Sequence, residues 1–67
     1  MTRQRTPTID IYRDASGDWR WRLRAANGRV IADSGEGYRD RRGVMRAVEA
    51  LRRAAPLAVC RESVASA

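Results

Sequence analysis

WRWRLRAANGRVIADSGEGY, residues 19–38, is the stretch whose reading decides the fold. Trp19, Trp21, Leu23 and Ala25 alternate with Arg20, Arg22 and Arg24. That period of two belongs to a strand with one face in a core and the other in water, not to a helix. Asn27-Gly28 follows and predicts a two-residue hairpin turn, in which both central positions need positive φ. Closure there pairs Ala25 with Val30, Arg24 with Ile31, Leu23 with Ala32, Arg22 with Asp33 and Trp21 with Ser34. One face then carries Trp19, Trp21, Leu23, Ala25, Val30 and Ala32. The other carries Arg20, Arg22, Arg24, Ile31 and Asp33. A slip of one residue would turn the tryptophans to water, so pattern and turn select the same register.

Upstream, TIDIYR at residues 8–13 alternates in the same way, and Asp14-Ala15-Ser16-Gly17 supplies turn residues, with Gly17 suited to a left-handed position. Antiparallel pairing with matched apolar faces sets Ile11 against Trp21 and Ile9 against Leu23, and brings Asp10 beside Arg22 and Tyr12 beside Arg20. Downstream, Gly35 and Gly37 end the meander and Asp40 is a helix N-cap. Val44, Ala47, Val48, Leu51 and Ala55 recur at helical spacing and predict an amphipathic helix over residues 41–55. Glu49 is placed to pair with Arg53 one turn later. Pro56 stops the helix, and LAVCR at residues 57–61 is an apolar run suited to a last strand. The fold class is therefore α+β, a β-β-β-α-β unit with an antiparallel meander packed by one helix. A basic, disordered arm occupies residues 1–7, the domain residues 8–62, and a flexible tail residues 63–67.

Length and composition limit what such a unit can do. At 67 residues a chain buries only about 60% of its extended surface, and such cores commonly need disulfides, a metal or a partner subunit. Cys60 is the only cysteine and there is no histidine, which removes an intrachain disulfide and leaves no metal-ligand set. Oligomerisation is the remaining remedy. The open outer edge of the third strand is a pairing template, and residues 57–61 have no turn leading them home. The strand formed by Leu57, Ala58, Val59, Cys60 and Arg61 is thus expected to cross to a second copy and cover that edge, closing a homodimer under two-fold symmetry.

The net charge is +6, and all 14 basic residues are arginine. With 11 alanines alongside, GC-rich coding explains the choice of arginine over lysine, but the charge itself makes acidic partners plausible, whether protein or nucleic acid. No apolar run approaches the roughly 20 residues of a membrane span, and the basic start of the chain has no apolar segment behind it. A cytoplasmic location with no membrane partner is the expectation.

The segments IDIYRD and WRWRLRAANGRVIADSGEGY, followed by a capped helix, resemble the YegP-like family of small, mainly prokaryotic domains of unknown function. Trp19 to Leu23, Ala26-Asn27-Gly28 and Glu36-Gly37-Tyr38 carry the resemblance in order and spacing. Arg39-Asp40-Arg41 departs from the small hydroxyls and lysine usual at the helix start, and the segment after Pro56 is more apolar than usual. The resemblance implies that two β3-αβ units join into one sheet and exchange their C-terminal strands. It brings no catalytic residue, cofactor or ligand.

Arg20, Arg22 and Arg24, with Tyr12 beside them, form the sharpest candidate site: a row of guanidinium groups able to grip a phosphate backbone, with a ring on which a base can stack. The competing reading is a solvated sheet face whose charges pair across strands, and it takes precedence. Arg22, between Asp10 and Asp33, is expected to be neutralised locally, which leaves Arg20 and Arg24 as the uncompensated contacts. The tryptophans fall in phase with Leu23 and Ile11 and are read as core. The Ser34–Gly37 run lacks the spacing and lysine of a phosphate loop. Cys60 is expected to be an inert small hydrophobe without a base partner, and the lack of histidine removes the commonest general base. The expectation is a non-catalytic module with a structural or protein-interaction role, taking no cofactor and no small-molecule substrate. The alternative is sequence-independent nucleic-acid binding through the arginine face and helix.

Overall fold

The computed structural model describes residues 6–64. Most of the arm and tail expected at the two ends, residues 1–5 and 65–67, lies outside the described residues. Strands β1 (Thr8–Arg13), β2 (Trp19–Arg24) and β3 (Val30–Asp33) form an antiparallel sheet in the order β1-β2-β3, followed by helix α1 (Arg41–Ala54). The β1–β2 register is the expected one, with Ile9 opposite Leu23, Ile11 opposite Trp21 and Asp10 opposite Arg22.

The second hairpin reaches its expected register by a different route. Ala25 N–H donates to Arg29 O at 2.7 Å and Gly28 N–H donates to Ala25 O at 2.8 Å, so the loop holds three residues rather than two. Gly28 alone takes positive φ, at 90°, the geometry of a type I turn followed by a glycine in the left-handed region. Arg24 therefore faces Val30 instead of Ile31, and a bulge between Leu23 and Arg24 restores the pairs Leu23–Ala32 and Arg22–Asp33. Residues directly opposite share a face, so Val30 moves from the tryptophan side to the arginine side, where it is 48% exposed.

Beyond β3 the pairing continues without regular strand. Ser34 N–H donates to Trp21 O at 2.9 Å, and Trp19 and Tyr38 exchange two backbone bonds at 2.7 and 2.8 Å. Ser34 is buried, and its hydroxyl accepts from Trp21 N–H at 3.2 Å. This strap returns the chain across the start of β2 and delivers Asp40 to the helix start. Asp40 caps as expected, its carboxylate accepting from Gly43 N–H at 2.8 Å.

Helix α1 packs on β2, with Val44 wholly buried and Val48 nearly so. Leu51, Ala47 and the β2 residues Trp19, Trp21 and Leu23 are only half-buried, and Ala32 is exposed. The expected apolar face exists but is incompletely covered, because a helix about 10 Å across spans only about two strand spacings of 4.8 Å. After the helix, residues 55–57 make one 3₁₀ turn, and residues 58–64 adopt no strand within the chain. The fifth element expected at residues 57–61 is therefore not paired at home.

Gly37 is fixed by contact rather than by φ. A Cβ there would meet Asp18 Oδ2 at 2.7 Å and Asp18 Cβ at 2.8 Å, whereas a Cβ on Gly35 meets nothing within 4 Å. Gly37→Ala should lower stability by about 1–3 kcal/mol through overpacking, read as a lower urea midpoint, while Gly35→Ala should leave that midpoint almost unchanged.

Candidate functional site

The arginine face is built by β1 and β2, and its charges pair along diagonals. Asp14, at the end of β1, accepts through Oδ1 from Ser16 N–H at 2.9 Å, Ser16 Oγ at 2.7 Å and Asp18 N–H at 3.0 Å. Those three donors orient the carboxylate so that Oδ2 accepts from Arg20 Nε at 2.6 Å. Arg20 also donates to Ser34 O at 3.2 Å, tying the first turn to the strap. At the other end of the strand, Arg24 Nε donates to Asp10 Oδ2 at 2.9 Å and its Nη1 to Gly28 O at 2.8 Å.

Arg22 lies between these pairs. Its guanidinium carbon stands 4.2 Å from the centre of the Tyr12 ring, a cation–π stack. Among the described residues, the ion pairs within 4.0 Å are Arg20–Asp14 and Arg24–Asp10. This reverses the expected division: Arg20 and Arg24 are compensated, and Arg22 is the arginine without a carboxylate partner. Asp10 and Asp33 do lie directly opposite Arg22. Long side chains, however, also reach diagonal neighbours about 7–8 Å away, and the Tyr12 ring takes up the Arg22 head group. The expected Glu49–Arg53 pair is likewise absent among the described residues.

The electrostatics follow this geometry. Arg20, and after it the Ser16 hydroxyl, hold the Asp14 carboxyl far below the usual carboxylate range. Asp14 in turn raises the pKa of Arg20, and Tyr12 is the foremost cause of the same shift in Arg22. Asp14 is not among the site residues the strand pattern singles out, although an Asp two residues before a Ser in a glycine-containing turn is the sequence sign of such a carboxylate anchor.

Cys60 is exposed on the unpaired segment, not enclosed as a core hydrophobe. Among the described residues no group of three or more His, Cys, Asp or Glu side chains converges, and no helix is long and apolar enough to cross a membrane. The structure defines a small α+β unit, three antiparallel strands under one helix, with a salt-bridged arginine face.

Residues 14–62 match a domain of unknown function, DUF1508, and the chain belongs to that YegP-like family, as residues 19–38 indicated. A UPF0339 protein of Neisseria meningitidis serogroup B is 48% identical over 44 residues, 66% of this chain and 77% of that one. A UPF0339 protein of Stutzerimonas stutzeri is 45% identical over 49 residues; they are 73% of this chain but only 43% of that relative's length. The NMR solution structure of a protein from Haloferax volcanii superposes with a TM-score of 0.80 at 36% identity, covering 87% of this chain and 97% of the other.

The depressed Asp14 pKa has a thermodynamic consequence. An unfolded Asp titrates near 3.9, so the extra stability from Asp14 is fully present above that value and is lost as pH falls through its much lower folded value. Chemical denaturation should show wild-type stability declining below about pH 4. Asp14→Asn should be less stable at pH 7 and show a smaller acid decline, and superimposable pH profiles would refute the Arg20–Asp14 anchor.

Proposed function

We propose that the chain works as a cytoplasmic, non-catalytic homodimeric module in which residues 57–61 of each copy join the sheet of the other. The observation that carries this reading is an unfilled groove beside an unplaced apolar segment. Ile9, Ile11, Leu23, Met45 and Val48 line a groove of about 600 Å³ between β1 and α1. Leu57 and Val59 are 81% and 87% exposed in the single chain. Burying two such side chains contributes about 1.5–3 kcal/mol each. In an extended strand Leu57 and Val59 point to one face, so one docking event places both beneath the partner's helix.

The groove favours the edge of β1 as the acceptor, rather than the β3 edge named on sequence grounds. Each partner's apolar face gains the cover that one helix cannot provide. The Stutzerimonas stutzeri relative is more than twice as long as its matched segment, leaving room for a second unit in the same chain. A non-catalytic role is supported by the use of Asp10 and Asp14 as anchors for Arg24 and Arg20, which keeps the best-placed carboxylates occupied.

Sedimentation equilibrium at micromolar concentration should give twice the 7.6 kDa chain mass. Leu57→Asp with Val59→Asp alters only exposed positions of the single chain, so it should not disturb a monomer. The exchanged dimer, in contrast, should be lost with this variant. A 7.6 kDa wild-type species would refute the dimer, and a variant that still dimerises would refute the exchange.

A further inference from the structure

The excess positive charge is segregated. Residues 6–38, which include the whole sheet, hold five arginines and five carboxylates. Residues 39–57 hold six arginines against two carboxylates. The sheet segment is thus electrically balanced, and residues 39–57 carry four of the six surplus charges, Arg3 and Arg5 the other two.

On α1, Arg42, Arg46 and Arg53 follow one another at four- and seven-residue intervals and are all exposed. Residues so spaced share one face of a helix, here the side opposite buried Val44 and Val48. None of the three is in an ion pair within 4.0 Å among the described residues. Their arrangement is unfavourable for the isolated chain: Arg42 and Arg46 are like charges one turn apart, which destabilise a helix. Arg41 and Arg42 also lie in the first turn, which holds no acidic residue, where the helix dipole disfavours cations. An external polyanion relieves both terms at once.

We infer that the outward face of α1, centred on Arg42, Arg46 and Arg53, is a docking surface for the phosphate backbone of duplex nucleic acid. The three residues span about 16 Å along the helix at 1.5 Å per residue. A duplex presents a near-continuous line of charge, one per roughly 1.7 Å of axis, and so meets that spacing without needing a matched register. Guanidinium forks bind phosphate oxygens in pairs. A membrane surface fits poorly, because an interfacial helix inserts an apolar face and the apolar face of α1 is turned toward the sheet, away from these arginines. Glu49 stands among the arginines and opposes the ligand. The surface is formed within one subunit, so this inference does not depend on strand exchange.

The test is fluorescence anisotropy of the full chain with a labelled 20-base-pair duplex from 50 to 200 mM salt. Three phosphate contacts give a log–log slope of about −2.7, hence a loss of roughly 40-fold over that range. Arg46→Gln with Arg53→Gln should weaken binding at least tenfold and flatten the slope by about 1.8, with an unchanged circular dichroism spectrum. Glu49→Gln should strengthen binding, and Arg22→Ala should leave it unaltered. No wild-type binding at 50 mM salt, equal binding by the double variant, or preference for anionic vesicles or a poly-glutamate peptide over the duplex would each overturn the inference.

Discussion

One helix cannot roof three strands, and most of the structure answers to that constraint. α1 lies on β2 and seals Val44 and Val48, but the tryptophans stay half-buried and β3 is exposed throughout. The sheet therefore depends on polar devices that larger domains can omit. Backbone exchange between Trp19 and Tyr38, the buried Ser34 hydroxyl on Trp21 N–H, and the Asp14 carboxylate each fasten one segment to β2. The same shortage of cover leaves the groove beside β1 open.

The arginines perform two separate tasks although they look alike in sequence. On the sheet Arg20 and Arg24 are paired with carboxylates and lock its ends, with Arg22 stacked on Tyr12 in the middle. On the helix they are unmatched. Counting charge segment by segment exposes this division, which the use of a single basic residue type conceals.

Much of the fold was legible because alternation and capping are local. Trp19 to Arg24 could be only a half-buried strand, Asp40 only a cap, and the β1–β2 register followed from matching Ile9 and Ile11 to Leu23 and Trp21. What escaped depended on length and reach. Asn27-Gly28 fits a two-residue turn and a three-residue loop equally well, and the choice is made by twist and pairing around it. Arg20 was assigned no partner because Asp14 is not opposite it, yet a turn anchored by three donors can aim a carboxylate diagonally. The extent of burial was also illegible, since a periodic apolar face says which side turns inward and not how much lies above it.

The hairpin between β2 and β3 contains two single-residue insertions that cancel in parity. The third loop residue shifts the register by one, and the bulge at Leu23/Arg24 shifts it back. At constant chain length, losing either offset alone would invert β3 beyond it, whereas losing both would keep Ala32 and Asp33 where they are. Ala32 and Asp33 thus keep their faces only while both offsets are present or both are absent, which couples the choice of hairpin loop to the bulge beside it.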